Sequence, residues 1–272
     1  MPTKYWDVSG HAIYLHYAGA TTLPGVAPDL GRGRRLLFLH AAGSNGHNWH
    51  HQIDHFGAAH SPVAFDFPGH GRSTGLEGFG SIREYADFTV ALMDSLAMRS
   101  AVIVGRSMGS MIALDLAARH PARADALVLI AAAAKLNLPS ERLEALRAVA
   151  VGRAAQAFTN DGFAKATVEK NFSVVRESWM EQVKTDPRVR YTDLMACNTA
   201  DLRDSLTRID QPTLLIAGAE DGVTTPGDAE FIAGRIRGAR VVVIADAAHN
   251  APIERPAEVN AALEKFLAEI AR

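Results

Sequence analysis

The stretch Ala101-Val-Ile-Val-Gly-Arg-Ser-Met-Gly109 decides the fold. Its first four residues are small and apolar, which predicts a strand buried on both faces. From Ser107 to about residue 120 the apolar side chains recur at helical spacing, until His120-Pro121 stops them. Strand must therefore become helix within Gly-Arg-Ser-Met-Gly. Glycines two residues either side of Ser107 let neighbouring backbone approach closely, and such a turn holds the serine in a strained conformation with its hydroxyl exposed. The following helix aims its free amides, that of Met108 first, at any negative charge forming there. A serine that only capped the helix would not require Gly105 and Gly109 together, so Ser107 reads as a nucleophile.

Outward from this element, apolar runs at residues 12–17, 36–40, 62–66, 126–130, 213–217 and 240–244 read as strands. Helical spacing at 49–56, 82–96, about 227–236 and 256–267 separates them. Residues 1–7 are polar and aromatic and carry no strand assignment. Alternation of this kind predicts a mostly parallel sheet with helices on both faces. Between 132 and 210 the rhythm changes to helices at 140–159, 161–172, 176–184 and 189–208, with no strand. One discontinuous core domain (1–131 and 211–272) carrying a helical cap insertion (132–210) is therefore expected.

A serine hydroxyl is a poor nucleophile without a base. Among eleven histidines, His11, His16, His60 and His120 lie in or beside structural elements. His47, His50 and His51 cluster near Trp49, and His47 and His51 have a ligand-like spacing but lack a His-Glu-x-x-His pattern, so no metal and no cofactor are expected. His249 stands in the loop after the strand at 240–244, on the same sheet edge as the Ser107 turn, and is the expected base. The supporting acid should follow another strand. Asp221 in Ala217-Gly-Ala-Glu-Asp-Gly222 fits, with Glu220 and Asp246 as alternatives. In Leu39-His-Ala-Ala-Gly-Ser44 an amide, that of Ala42 ahead of Ala41, can join that of Met108 in holding an oxyanion. Asp66-Phe-Pro-Gly-His-Gly-Arg-Ser73 lacks the lysine of a phosphate-binding loop, and Arg72 is expected to bond a carboxylate or carbonyl. Arg106 is expected to pair with a carboxylate at the edge of the core, with contact to the site as the alternative.

The chain has 272 residues, 48% of them hydrophobic and 21% charged, with a formal net charge of -2. Nothing in that balance draws it to nucleic acid or anionic lipid. No apolar run approaches the ~20 residues of a membrane span, and a cytoplasmic protein is expected. Cys197 stands alone, which excludes an intrachain disulfide and suits a small buried hydrophobe.

The order Ser107, Asp221, His249, the strand–Gly-Arg-Ser-Met-Gly–helix element and the Asp66–Ser73 loop together resemble the α/β-hydrolase fold family. Within it, the chain is most similar to small esterases, lactonases, cofactor-free haloperoxidases and carbon–carbon bond hydrolases. The resemblance implies an eight-stranded sheet, a cap after the sixth strand, an acid after the seventh and a histidine after the eighth. It also implies a serine hydrolase of carboxylic esters, with a lactonase, a carbon–carbon hydrolase and a non-catalytic small-molecule receptor as alternatives. His40-Ala41 departs from the family's common His-Gly at the oxyanion loop. Phe158, Phe163, Phe172, Trp179 and Met180 are expected to roof an apolar pocket with few charges, suited to a neutral or weakly polar ester.

Overall fold

The computed structural model describes residues 1–270, so residues 271 and 272 of the expected core segment lie outside the description. Among the described residues, β1 (Thr3–Val8), β2 (His11–Tyr17), β3 (Arg35–Leu39), β4 (Ser61–Phe65), β5 (Ala101–Arg106), β6 (Ala124–Ile130), β7 (Thr213–Gly218) and β8 (Arg240–Ile244) form one sheet. Their order is β1-β2-β4-β3-β5-β6-β7-β8. β2 runs antiparallel to both its neighbours and all later pairs are parallel. Parallel strands need crossovers, which the helices supply.

The helices are α1 (His50–Phe56), α2 (Ile82–Ser95), α3 (Met108–Arg119), α4 (Ser140–Ala150), α5 (Lys165–Lys170), α6 (Phe172–Gln182), α7 (Pro187–Thr199), α8 (Pro226–Ala233), α9 (Ala251–Glu254) and α10 (Pro256–Glu269). β5 is buried along its whole length because both its faces are covered. Leu37, Ile103, Leu127 and Leu215 pack under α2, α3 and α8. Phe38, Val102, Val104, Val128 and Ile216 face Trp49, Ile53, Val259, Leu263 and Phe266 on the other side. Successive strand residues thus feed two cores, and neither face needs polar side chains.

Two features differ from the reading of the sequence. β1 is an edge strand with Tyr5 exposed and Val8 buried, and its mixed composition hides the alternation that pairing with β2 reveals. The first helix of the 132–210 segment ends at Ala150, short of 159, because Gly152 takes a positive φ of 72° and the chain then runs without regular structure to α5. No helix among the described residues is long and apolar enough to cross a membrane.

What this topology does for chemistry is directional. β3, β5, β7 and β8 are parallel, so the loops beyond their C-terminal ends, which carry Ala42, Ser107, Asp221 and His249, emerge on one edge of the sheet. The helical segment between β6 and β7 faces that edge: Gly43 donates to Asp193 of α7 (2.7 Å), and Gly162 accepts from Asn250 (2.8 Å).

Candidate active site

Ser107 joins β5 to α3 with φ 54° and ψ −113°, in the half of backbone space that residues with a Cβ rarely occupy. Its neighbours make that turn possible. A Cβ on Gly105 would run into the Gly109 carbonyl, and one on Gly109 would run into the Leu39 carbonyl. Gly109→Ala is therefore expected to destabilise the protein by about 3 kcal/mol, as overpacking against rigid backbone does, readable as a drop in the urea midpoint. An unchanged midpoint would contradict the close approach.

Ser107 and His249 line one cavity of about 130 Å³. Ser107 Oγ makes no hydrogen bond to another described residue, so the hydroxyl is free to turn. His249 Nδ1 meets Asp221 Oδ2 at 2.9 Å. Asp221 is buried and also accepts from the amides of Val223 (2.8 Å) and Thr224 (3.0 Å) and the Thr224 hydroxyl (2.9 Å). Burial opposes the carboxylate charge, but the bond to His249, its charge and the two amides outweigh it and hold Asp221 below the ordinary carboxylate range. The two alternative acids are engaged elsewhere: Glu220 accepts from the Lys165 amide at 2.9 Å and Asp246 pairs with Arg255 at 3.3 Å. Because Nδ1 faces a carboxylate, Nε2 is left as the nitrogen free to accept a proton.

The amides of Ala42 and Met108 donate to no other described residue. Beside Ala42, the loop is held from three directions. His40 Nδ1 lies 2.9 Å from the Ala41 carbonyl and its Nε2 accepts from the Phe67 amide at 3.1 Å. That geometry requires a neutral ring, and burial, followed by repulsion from His70, pushes His40 down to about 3. Gly43 donates to Asp193 Oδ2, which also receives His70 Nε2 at 2.7 Å, while Tyr85 donates its hydroxyl to Oδ1. His70 Nδ1 faces the Pro68 carbonyl at 3.0 Å. Both nitrogens of His70 face acceptors, so the ring carries two protons and a positive charge. Burial opposes that charge, and the Asp193 carboxylate overcomes it and raises the pKa.

A raised pKa has a consequence for stability. The His70 contribution is complete below the unfolded value of about 6.5 and is lost as pH rises through the higher folded value. The stability advantage of the native protein over His70→Gln is therefore expected to shrink as thermal melts are taken from pH 6 to pH 10. An advantage constant with pH would mean that His70 is not charged at neutrality.

A buried acid also organises the histidine loop. Glu254 accepts from the amides of Ala248 (2.9 Å), Asn250 (3.2 Å) and Ala164 (2.7 Å) and from the Thr167 hydroxyl (2.9 Å), tying the His249 loop to the helical segment above it.

Residues 34–256 match the family model described as alpha/beta hydrolase fold. The chain belongs to the alpha/beta hydrolase fold family. Among alpha/beta hydrolases, it is similar to a pimeloyl-[acyl-carrier protein] methyl ester esterase of Neisseria meningitidis, 32% identical over 249 residues, covering 87% of this chain and 93% of that protein. It is similar to 3-oxoadipate enol-lactonase 2 of Acinetobacter baylyi, 28% identical over 235 residues, with 85% and 88% covered. The crystal structure of an enol-lactonase from Burkholderia xenovorans superposes with a TM-score of 0.84 at 26% identity, covering 97% of this chain and all of that one.

For an alpha/beta hydrolase the pocket walls departed from expectation. Phe163 and Trp179 line the cavity. Phe158 and Phe172 do not: they are 48% and 49% exposed, and Phe158 packs on Phe172 and Trp179 on the outer side of the helical segment. Helical spacing is the same for either side of such a segment, and because α4 ends at Ala150, Phe158 lies in irregular chain to which helical spacing does not apply. Met180 is also exposed and lines a separate cleft with His47, His50 and His51. Among the described residues, no group of three or more histidine, cysteine, aspartate or glutamate side chains is placed to hold a metal.

The cavity is also not sparing in charge, because Arg106, Arg142 and Arg190 line it. Arg106 forms no ion pair with any described carboxylate. It donates to Asn250 Oδ1 (2.8 Å) and to Ser44 Oγ (3.4 Å), and burial pushes it down to about 10, so it remains charged. The Arg72 guanidinium bonds the Tyr14 hydroxyl (3.0 Å) instead of a carboxylate or carbonyl.

Proposed function

We propose that this alpha/beta hydrolase is a serine hydrolase of carboxylic esters acting through an acyl-enzyme. The observation that carries the reading is the cavity shared by the Ser107 hydroxyl and His249, whose far nitrogen is bound to the buried Asp221. In the proposed sequence Ser107 Oγ attacks the ester carbonyl as His249 Nε2 takes its proton. The amides of Ala42 and Met108 hold the oxyanion, and His249 returns the proton to the leaving alcohol. Water then attacks the acyl-enzyme with His249 again as base, freeing the acid and restoring Ser107. Overall, ester and water give acid and alcohol.

A lactone is an ester closed on itself, and the same steps open it. The enol-lactonases among the relatives favour including it as a second substrate form. The 132–210 segment acts in this reading as the cap that excludes water from the reacting carbonyl. Short p-nitrophenyl esters and simple lactones, compared by kcat/KM, test the proposal. Turnover of either with saturation kinetics is expected; saturable binding of both without hydrolysis would favour the receptor alternative, and cleavage of a vinylogous diketo acid alone would favour carbon–carbon hydrolysis.

A further inference from the structure

Resting on the ester-hydrolase reading, we propose that the substrate is an anion, an ester or lactone that carries a carboxylate, and that Arg142 and Arg190 hold this carboxylate at the mouth of the cavity.

The first observation is missing neutralisation. Arg119, Arg123, Arg188, Arg203, Arg240 and Arg255 each bridge a carboxylate. No ion pair joins Arg106, Arg142 or Arg190 to any described carboxylate, although all three line the cavity that holds Ser107. Arg190 is half-buried. With its amide oxygen turned inward, Gln182 accepts from both Arg190 Nη atoms (2.5 and 3.2 Å), a neutral partner that leaves the charge standing. Burial, and then repulsion from Arg142, lower the Arg190 pKa, so the two guanidinium groups act on one another unfavourably. An anion held by both offsets the burial cost and the mutual repulsion, and guanidinium forks match carboxylate geometry.

The second observation is position. Arg142, Thr159, Asp161 and Arg190 line both the inner cavity and an outer cleft of about 390 Å³, so these residues separate the two and form the way in. The Arg190 stem lies on Gly43, where a Cβ would fall 2.6 Å from Arg190 Cγ, directly after the Ala42 amide. A carboxylate held there is a short spacer away from a carbonyl in the oxyanion site. The inner volume, close to that of the engineered ~150 Å³ cavity that admits benzene, also suits a small acid. Two carboxylates lie near Arg190 and Arg142. Asp193, which acts on Arg190, is saturated by Gly43, His70 and Tyr85. Asp161 is exposed and leaves the lining cationic by excess.

The test compares mono-p-nitrophenyl succinate with p-nitrophenyl butyrate, which differ in charge at similar length. Wild type is expected to favour the anion by about 10-fold or more in kcat/KM, with the preference falling as salt is added. Arg190→Gln and Arg142→Gln are each expected to lower that ratio several-fold, while Arg153→Gln, an exposed arginine outside the cavity, leaves it unchanged. Arg142 is itself exposed, so its variant tests the site without disturbing the core. A wild-type ratio of one or below, or arginine variants that leave the ratio intact, would overturn the anion site. Calorimetry of monomethyl succinate binding to Ser107→Ala separates the two proposals. Binding that Arg190→Gln abolishes, in a protein that hydrolyses no ester, would retain the anion site and reject the esterase; ester turnover without such binding would do the reverse.

Discussion

Ser107→Ala is expected to lower kcat for p-nitrophenyl esters by a factor on the order of 10⁵ while leaving the far-ultraviolet circular dichroism unchanged. The size follows from the division of labour. In the proposed sequence Ser107 supplies the attacking oxygen, and His249, backed by Asp221 at 2.9 Å, has nothing to deprotonate once it is gone. Residues that act as one unit lose their effect together, so His249→Ala and the double variant are expected to be about as slow as Ser107→Ala rather than slower by a product of factors. Multiplying losses would mean that the two side chains serve separate steps. Ser107→Gly adds a structural check. A residue with a Cβ held at φ 54° stores about 1 kcal/mol or more, so the glycine variant is expected to be inactive yet more stable, with a higher melting temperature than Ser107→Ala.

The second large effect lies away from the triad. Asp193→Ala is expected to destabilise the protein by about 3–5 kcal/mol, because it leaves the His70 cation buried without a counter-charge. Activity should fall as well. Asp193 holds the Gly43 amide at 2.7 Å, and Gly43 follows the Ala42 amide proposed for the oxyanion. With the loop released, kcat is expected to drop about 10-fold or more while KM changes little, the mark of a contact made mainly in the transition state. Asp193→Asn keeps the shape and an acceptor for Gly43, and should recover most of kcat but not the stability tied to His70. Equal losses in kcat and KM would place Asp193 in packing alone.

The parts of this molecule that were readable from the chain are those fixed by local covalent sequence. Ala101–Arg106 had to be a doubly buried strand, and Gly105 and Gly109 had to flank a tight turn. Loops beyond parallel strands share an edge, so the pairing of His249 with Asp221 followed from topology. Burial in the helical segment was not readable to the same degree. Trp179 and Phe158 touch one another, yet one faces the cavity and the other solvent. Arg142 and Arg190 could not be singled out among the arginines for a similar reason, since Arg142 on a helix surface looks like any solvated charge until the loop around Asp161 is placed beside it. Asp193 did leave a signal. It sits with Val189, Ala196 and Cys197 on the buried stripe of α7, and an acid at a core position implies donors waiting inside.

The most direct test of the central claim is intact-mass spectrometry and peptide mapping of folded protein exposed to a small fluorophosphonate. One adduct per chain is expected, on Ser107, formed slowly or not at all in His249→Ala. Adduct on a different residue, or none in a protein that still hydrolyses esters, would contradict that claim.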